Sequence, residues 1–187
     1  MHELWIARHA ETEWSLDGRH TGRTDIPLTD AGRERAATLR TLLADRDWSL
    51  VLCSPLGRAQ ETARLAGVEE PIELRDDLLE VDYGEIEGVT TEAWREEHDP
   101  SWSLWTHGAP GGETLAQVAE RVDRVIAEAL ATDGDVLLVA HGHVLRILTA
   151  RWLELGPEAG AHLVLKTGGV GVLGFERDVH VLERWNA

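Results

Sequence analysis

The sequence predicts an α/β fold, a three-layer αβα sandwich around a mostly parallel central sheet. Three short apolar runs, at residues 4–7, 50–53 and 136–140, each end at a polar sequence. Runs of this length that are apolar throughout are typical of strands covered on both faces. Helical patterns lie between the runs, and the alternation of strand and helix indicates a layered α/β architecture.

The clearest helix is predicted at about 114–131, where apolar residues recur with the i, i+3, i+4, i+7 spacing of one buried face. A shorter apolar stripe (Leu39, Leu42 and Leu43) follows Thr29 and Asp30, which we interpret as an N-terminal cap. Further helices are predicted near 56–66 and 143–153.

Two segments differ from this alternation. Residues 161–185 contain three short β-like runs (162–165, 171–175 and 179–185) separated by glycines, and they predict added edge strands. Residues 84–112 contain three Trp and two Pro with weak periodicity, so we interpret them as a small cap-like excursion. A chain of 187 residues with 43% hydrophobic content predicts one domain, residues 1–187.

Composition excludes several classes of protein. The formal net charge of −16 opposes binding to nucleic acid and to anionic membranes. Residues 1–10 show no basic segment followed by a long apolar stretch, and Cys53 is the single cysteine, so we expect a cytoplasmic protein without disulfides. Because Lys166 is the single lysine, a site for an anionic substrate has to use arginine, histidine and backbone N–H groups.

The candidate chemistry lies where the three predicted strands end. Arg8 and His9 follow the first run, residues 54–58 with Arg58 follow the second, and His141 and Gly142 follow the third. Ligands of open α/β sheets bind at the carboxyl ends of the strands, so parallel neighbours would bring two histidines and two arginines to one edge.

Such a cluster suits a phosphate dianion. Guanidinium groups make paired hydrogen bonds to phosphate oxygens and neutralise the charge of the transferring group. A neutral imidazole can attack phosphorus to give a covalent phosphohistidine, and a second, protonated histidine can stabilise the transition state. The leaving alkoxide needs a proton, which a nearby carboxylic acid can supply.

Six segments carry a family resemblance in chain order. They are RHAETEW at 8–14, GRHTGRTDIPLTDAG at 18–32, SPLGRAQETA at 54–63, LLEVDYGEIEG at 78–88, GGET at 111–114 and AHGHVLR at 140–146. Together they resemble the histidine phosphatase superfamily, in its phosphoglycerate-mutase-like branch.

The resemblance implies a phosphatase of acid phosphatase type that acts on small phosphorylated substrates without a cofactor. It implies that His9 is the phosphorylated nucleophile, that Arg8 and Arg58 grip the phosphate, and that Glu80 is the proton donor and later base. It also implies that His141 is the second histidine. Residues of the phosphate-binding loops would be Ser15, Thr21, Gly22 and Gly142. The resemblance to the family also implies a homodimer.

Two residues depart from the family pattern. Ala10 stands where the family has glycine, and alanine would be strained if the backbone there had positive φ. We expect negative φ and hence an active enzyme. Ser15 stands where the family often has asparagine, and its shorter side chain suggests a contact with phosphate through water.

Several alternatives remain. His141 and His143 resemble a metal-binding pair, but no carboxylate cluster accompanies them, so no metal is predicted and His143 is interpreted as a residue of the pocket rim or of the structure. Trp14, Trp102 and Trp105 fit either a substrate wall or packing.

Two other functions remain possible. A cofactor-dependent phosphoglycerate mutase would need cations beyond the phosphate pocket, and Arg95 is the one non-histidine basic residue in 84–112. A non-catalytic phospholigand-binding protein would not need Glu80. Hydrolysis is therefore the predicted reaction.

Overall fold

The protein folds around a six-stranded sheet. The computed structural model describes residues 3–69 and 71–187; residues 1 and 2, the start of the stretch expected to lack a leader, lie outside the described residues. The strands are β1 (Leu4–Arg8), β2 (Leu50–Cys53), β3 (Ile72–Leu74), β4 (Val136–Ala140), β5 (Val170–Glu176) and β6 (Val179–Trp185). Their order is β3-β2-β4-β1-β5-β6. The first four are parallel to one another, β5 pairs antiparallel with β1, and β6 pairs antiparallel with β5. The predicted mostly parallel α/β sheet is confirmed.

The register brings the carboxyl ends of three strands together. β4 lies between β1 and β2, with Arg8 opposite Ala140 and Cys53 opposite Val139. The backbone N–H of His9 continues the ladder by donating to the Ala140 carbonyl at 2.9 Å. The residues that follow these three strands therefore emerge at one edge, as parallel pairing requires.

Eight α-helices surround the sheet within the described residues. They are α1 (Glu13–Leu16), α2 (Asp30–Thr38), α3 (Arg40–Leu43), α4 (Gly57–Leu65), α5 (Thr91–Glu97), α6 (Leu104–His107), α7 (Leu115–Ala131) and α8 (Gly142–Trp152). Short 3₁₀ turns occur at Asp76–Leu78, Gly84–Ile86 and Pro157–His162.

The helix boundaries follow local signals. Thr114 caps α7 and forms a capping box with Gln117, and Thr29 caps α2 by accepting from the Gly32 N–H at 2.9 Å, as its position predicted. Of the predicted apolar stripe, Leu42 and Leu43 lie in α3, and the buried Leu39 is the residue at which α2 and α3 meet.

Both faces of the sheet are covered, which gives the three layers. On one face, alternate residues of β1 and β4 such as Ile6 and Leu138 pack with α7 and α8. On the other, Trp5 and Leu137 pack with α3 and α4. The alternation of faces along a strand explains why these strands are apolar throughout.

The predicted strand at 162–165 is wrong. His162 ends a 3₁₀ turn, and the carbonyls of the next residues accept from side chains instead of a ladder: Val164 from Trp185 and Leu165 from Arg8. The edge strand Ile72–Leu74 was not predicted, because three residues are too short to show a periodicity.

The segment 84–112 contains α5 and α6 and packs onto the core. Trp94, Trp102 and Leu104 are buried in the same cluster as α7 and α8. The segment predicted to be a cap-like excursion therefore contributes side chains to the core. Among residues 3–69 and 71–187, none of the helices combines the length and the apolar character needed to cross a bilayer.

Candidate active site

A cavity of about 350 Å³ opens at the carboxyl edge of β1 and β4. Its walls include six of the nine residues predicted from the sequence: Arg8, His9, Ser15, Thr21, Glu80 and Gly142. The segment 84–112 supplies another wall, with Arg95 and Trp102 among its residues. The other three predicted residues, Gly22, Arg58 and His141, are joined to this group by the hydrogen bonds described below.

His9 is held in one tautomer. Its side chain is 3% exposed, and Nδ1 lies 2.7 Å from the Ala10 carbonyl oxygen. A carbonyl can only accept, so Nδ1 carries the proton and the Nε2 lone pair is free. Burial, together with the charges of Arg8 and Arg58, holds the pKa of His9 well below its usual value. The ring is therefore neutral, with Nε2 unprotonated.

Ala10 meets the backbone requirement of this arrangement. It is absent from the residues with positive φ, so the expectation of an unstrained backbone is confirmed. Its N–H donates to Thr62 Oγ1 at 3.1 Å, and its methyl group packs with Leu28 and Ala36. Alanine thus adds apolar packing while its carbonyl orients His9.

His141 is neutral in the free site. Its Nδ1 accepts from Arg58 Nε–H at 3.2 Å, so the ring proton is on Nε2, which donates to Ser54 Oγ at 2.7 Å. Burial, with the charge of Arg58, holds the pKa of His141 well below its usual value. Its ring lies 5.1 Å from that of His9, centroid to centroid. The protonated form expected from the sequence does not describe the free site, and the orienting role of Ser54 was missed.

Arg58 supports the site from behind. It is 1% exposed, and besides His141 it donates to the carbonyls of Thr21, Gly22 and Thr24 at 3.1, 2.9 and 2.8 Å. A longer contact of 3.5 Å joins it to Asp25 Oδ1. These partners account for its five N–H groups. In the free protein Arg58 therefore contributes charge and holds the 21–25 loop.

Arg8 and Gly142 lie side by side at the N-terminus of α8. Arg8 donates to the Leu165 carbonyl through Nη1 at 2.7 Å, whereas its buried Nε has no partner among the described residues. Gly142 begins α8, and a Cβ on it would lie 3.2 Å from Arg8 Nε. The backbone N–H of the first residue of a helix, beside a guanidinium, is a general anion-binding arrangement.

Glu80 is buried at the same helix terminus. It is 4% exposed; Oε1 accepts from the N–H groups of Val81 and Val144 at 3.0 and 2.9 Å, and Oε2 accepts from that of His143 at 3.0 Å. Two of these donors belong to the first turn of α8. Oε2 has one protein donor, and Glu80 lines the cavity.

Arg121 holds the loop that carries Glu80. This buried guanidinium donates to the carbonyls of Asp77 and Leu79, both at 2.7 Å, and to Glu80 at 3.3 Å, and it pairs with Glu113 at 2.9 Å. It lies on α7, and the apolar periodicity of that segment predicted a helix but gave no role to Arg121. The sequence offered Glu113 within GGET as the one signal of this support.

Two of the predicted substrate-binding residues, Gly22 and Ser15, already form hydrogen bonds within the protein. The Gly22 N–H donates to both oxygens of Glu87 at 3.0 Å, so Gly22 anchors the loop, and Glu87 was not predicted. The Ser15 hydroxyl donates to Thr12 O and accepts from Thr12 N–H, both at 2.9 Å, within the capping box of α1. Its one O–H is thereby used. Thr21 lines the cavity.

His143 belongs to an aromatic wall. Tyr83 Oη contacts His143 Nδ1, and the rings of His20 and Trp105 lie 6.3 and 5.3 Å from it. Burial raises the pKa of Tyr83 and lowers the pKa of His143, so both are neutral. Trp102 is both a wall residue and a core residue, and Trp105 lines the cavity. His143 is thus a residue of the cavity wall, within the interpretation made from the sequence.

Stability is expected to fall in acid because the site keeps histidines neutral. The pKa of His9, His141, His143 and His20 is lowered in the folded state, chiefly by burial. The unfolded chain therefore binds more protons below pH about 6.5. The free energy of unfolding should drop as pH falls from there, by about 1.4 kcal/mol per pH unit for each histidine that stays neutral. Urea unfolding between pH 7.5 and 5.5 measures this slope.

His143→Asn provides the control for this slope. Asparagine can keep an acceptor for Tyr83 but does not titrate, so the slope should become shallower by about one proton. A free energy of unfolding that stays constant over this range in the unsubstituted protein would contradict the expected linkage.

The fold and the site are typical of an enzyme of phosphoryl transfer, because a neutral imidazole lines the same cavity as a guanidinium, a helix N-terminus and a buried carboxyl group. The family model of the histidine phosphatase superfamily (branch 1) matches residues 4–187. The chain belongs to this superfamily and is a phosphatase, as the sequence predicted.

Individual relatives agree with this assignment. The chain is 44% identical to an acid phosphatase of Mycobacterium tuberculosis over 97% of this chain and 90% of the relative. It is 35% identical to an adenosylcobalamin/alpha-ribazole phosphatase of Escherichia coli over 88% and 86%. A solved structure of an open reading frame from M. tuberculosis is 42% identical, with a TM-score of 0.93 over 99% of this chain and 97% of that one.

Proposed function

We propose that this phosphatase hydrolyses small phosphate monoesters through a phosphohistidine on His9. The tautomer of His9 carries the proposal: Nδ1–H is bound to the Ala10 carbonyl, which leaves Nε2 as the unprotonated nitrogen. Nε2 attacks phosphorus, the P–N bond forms, and the ester P–O bond breaks. Water then attacks phosphorus, the P–N bond breaks, and inorganic phosphate leaves.

Glu80 moves the protons of both steps. Its carboxyl group donates a proton to the departing alkoxide in the first step and takes one from the attacking water in the second. Support comes from its position: it lines the cavity with His9, and the N–H groups of His143 and Val144 orient it.

The positive groups bind and stabilise the transferring phosphoryl group. Arg8 offers its unpartnered Nε–H beside the Gly142 N–H, where a phosphate oxygen completes both hydrogen bonds. Arg58 adds positive charge and orients His141. It contacts the phosphate directly when a phosphate oxygen replaces the Thr21 carbonyl as the acceptor of its Nη2–H. His141 is neutral at the start, and the incoming dianion favours its protonated form.

The roles proposed for Thr21, Gly22 and Ser15 are those that their positions and hydrogen bonds allow. Thr21 contacts the substrate from the cavity wall. Gly22 shapes this loop through Glu87, and Ser15 reaches the substrate as an acceptor or through water.

The reaction as proposed needs no metal ion, since imidazole supplies the nucleophile and arginine supplies the neutralising charge. The low pKa of His9 keeps the nucleophile unprotonated in mildly acidic solution, which fits an acid phosphatase type. The net charge of −16 favours small substrates over nucleic acid and membranes, and the single buried cysteine fits the cytoplasm.

A phosphoglycerate mutase is the second candidate, and the structure changes the argument against it. The low number of cations in 84–112 was the reason to disfavour it, but Arg19 and Arg146 join Arg95 in the cavity wall from outside that segment. The number of cations therefore no longer disfavours a mutase. Hydrolysis remains the proposal because of the 44% identical acid phosphatase.

A metal-free screen of phosphate esters tests the proposal. With chelator present, we expect inorganic phosphate to be released from p-nitrophenyl phosphate and from sugar phosphates. The screen includes 3-phosphoglycerate with and without its bisphosphate, and 2-phosphoglycerate is measured beside phosphate. Isomerisation faster than phosphate release would support the mutase, and absence of both reactions would support a binding protein.

A further inference from the structure

One backbone carbonyl orients the guanidinium of Arg8. Among residues 3–69 and 71–187, the one hydrogen bond of this guanidinium runs from Nη1 to the Leu165 carbonyl at 2.7 Å, and its buried Nε has no partner. The stem of an arginine is flexible, and its planar head takes its direction from the acceptors that it binds. A group that fixes the Leu165 carbonyl therefore also directs the guanidinium.

The Leu165 carbonyl belongs to a peptide group that Asn186 holds from the opposite side. The same peptide group carries the Lys166 N–H, which donates to Asn186 Oδ1 at 2.8 Å. Because a peptide group is planar, fixing its N–H also fixes the direction of its carbonyl. Two hydrogen bonds through one rigid plane therefore connect the Asn186 amide to Arg8 Nη1.

Asn186 also holds the preceding peptide group. Its Nδ2 donates to the Val164 carbonyl at 2.8 Å, and this carbonyl accepts as well from Trp185 Nε1 at 2.7 Å. Residues 163–169 lie outside the helices and strands, so they have no ladder of their own. The donor and the acceptor of one amide thus fix the two peptide groups that flank Leu165.

The backbone at Asn186 is itself fixed by the sheet. Its φ is +59°, in the left-handed region that asparagine tolerates better than most residues do. On one side it follows β6, in which Trp185 lies opposite Gly171. On the other side the Ala187 N–H donates to the Val170 carbonyl at 3.0 Å. The amide therefore projects from a backbone that has little freedom to move.

Resting on the proposed function, we infer that Asn186 is a positioning residue for the phosphate-binding guanidinium of Arg8. Asn186 does not line the cavity, and it acts through the peptide group between Leu165 and Lys166. With the amide in place, Arg8 Nη1 stays bound to the carbonyl, and Nε stays beside Gly142. Without the amide, this peptide group can rotate, and the guanidinium loses the direction that phosphate binding requires.

Asn186→Gly tests the inference, with inorganic phosphate as the probe. Glycine adopts positive φ readily, so the substitution removes the amide without adding backbone strain. We expect the Kd for phosphate in calorimetry to rise about tenfold, the factor for weakening one charge-assisted hydrogen bond. Asn186→Asp keeps an acceptor for the Lys166 N–H and should restore most of the affinity. An unchanged Kd in the Asn186→Gly variant would overturn the inference.

Trp185→Phe is the matched control for a general loosening of residues 163–169. It removes the second donor to the Val164 carbonyl and leaves the hydrogen bond between Asn186 and Lys166 in place. Its thermal midpoint should fall, whereas its Kd for phosphate should stay close to that of the unsubstituted protein. An equal rise in Kd in the Asn186→Gly and Trp185→Phe variants would show a merely structural role and overturn the inference.

A double-mutant cycle tests whether the effect of Asn186 passes through Arg8. Arg8→Ala should weaken phosphate binding by itself, and adding Asn186→Gly should weaken it little further, because the side chain that Asn186 positions is gone. Equal losses on Asn186→Gly with and without the Arg8 side chain would contradict the positioning role.

The two proposals fail in different measurements. Hydrolysis of p-nitrophenyl phosphate by the unsubstituted enzyme tests the proposed function. Hydrolysis of this ester, together with full additivity in the cycle, contradicts the positioning role alone. A coupling between Asn186 and Arg8 in phosphate binding, without hydrolysis, supports the positioning role and contradicts the catalytic proposal.

Discussion

His9→Ala is expected to lower the hydrolysis of small phosphate monoesters by about 10⁴-fold or more, because it removes the nucleophile. The proposed geometry offers no substitute: His141 donates its ring proton to Ser54 and accepts from Arg58, so neither of its nitrogens is free to attack. Phosphate release under steady-state conditions measures the loss. Circular dichroism and the thermal midpoint verify that the variant folds.

A matched histidine controls for this substitution. His162 is exposed and lies outside the cavity wall, so His162→Ala should keep its activity. In the unsubstituted enzyme, rapid alkaline quenching during turnover followed by peptide mass spectrometry should find the phosphoryl group on His9. Turnover retained by His9→Ala would rule out the covalent mechanism.

Glu80→Gln is expected to have a selective effect. Sugar phosphates release a basic alkoxide, so loss of the acid should slow them by about 10²–10⁴-fold. Nitrophenolate is a weak base and leaves without protonation, so p-nitrophenyl phosphate should be slowed much less in the first step. The ratio of kcat/KM for the two esters separates loss of the acid from general damage.

Glu85 provides the control for Glu80. It lies in the same acidic stretch but is exposed, and Glu85→Gln should leave the ratio of the two esters unchanged. Glutamine at position 80 also places an amide where three backbone N–H groups converge, so the free energy of unfolding should be measured for both variants. Equal losses on the two esters would argue against Glu80 as the acid.

The choice among acidic residues shows how far sequence reasoning reached at the site. Composition alone did not distinguish Glu80 from neighbours such as Glu85, and the motif resemblance was needed to select it. The structure gives the physical basis: Glu80 is 4% exposed and accepts from the first turn of α8, whereas Glu85 faces solvent. Burial and a helix terminus are properties of packing and are not visible in an acidic stretch.

The supporting residues were mostly missed for a related reason. Arg121 and Glu87 act through hydrogen bonds to residues 41 to 65 positions away in the chain. On a helix or in a loop, each looks like an ordinary surface charge. Contacts of such separation depend on how α7 and the 21–25 loop pack, and no local pattern encodes them.

The sequence by itself determined the α/β class, the three central strands and the helix over Leu115–Ala131, because apolar periodicity records which faces are buried. It also placed His9 and His141 at strand ends. Only the tertiary structure decided the order of the strands, the tautomers of the two histidines and the gathering of Arg95 and Arg146 around one cavity. Each of these depends on partners that are distant in the chain or on a particular backbone carbonyl, and a hydrogen bond of that kind is specified by three-dimensional packing alone.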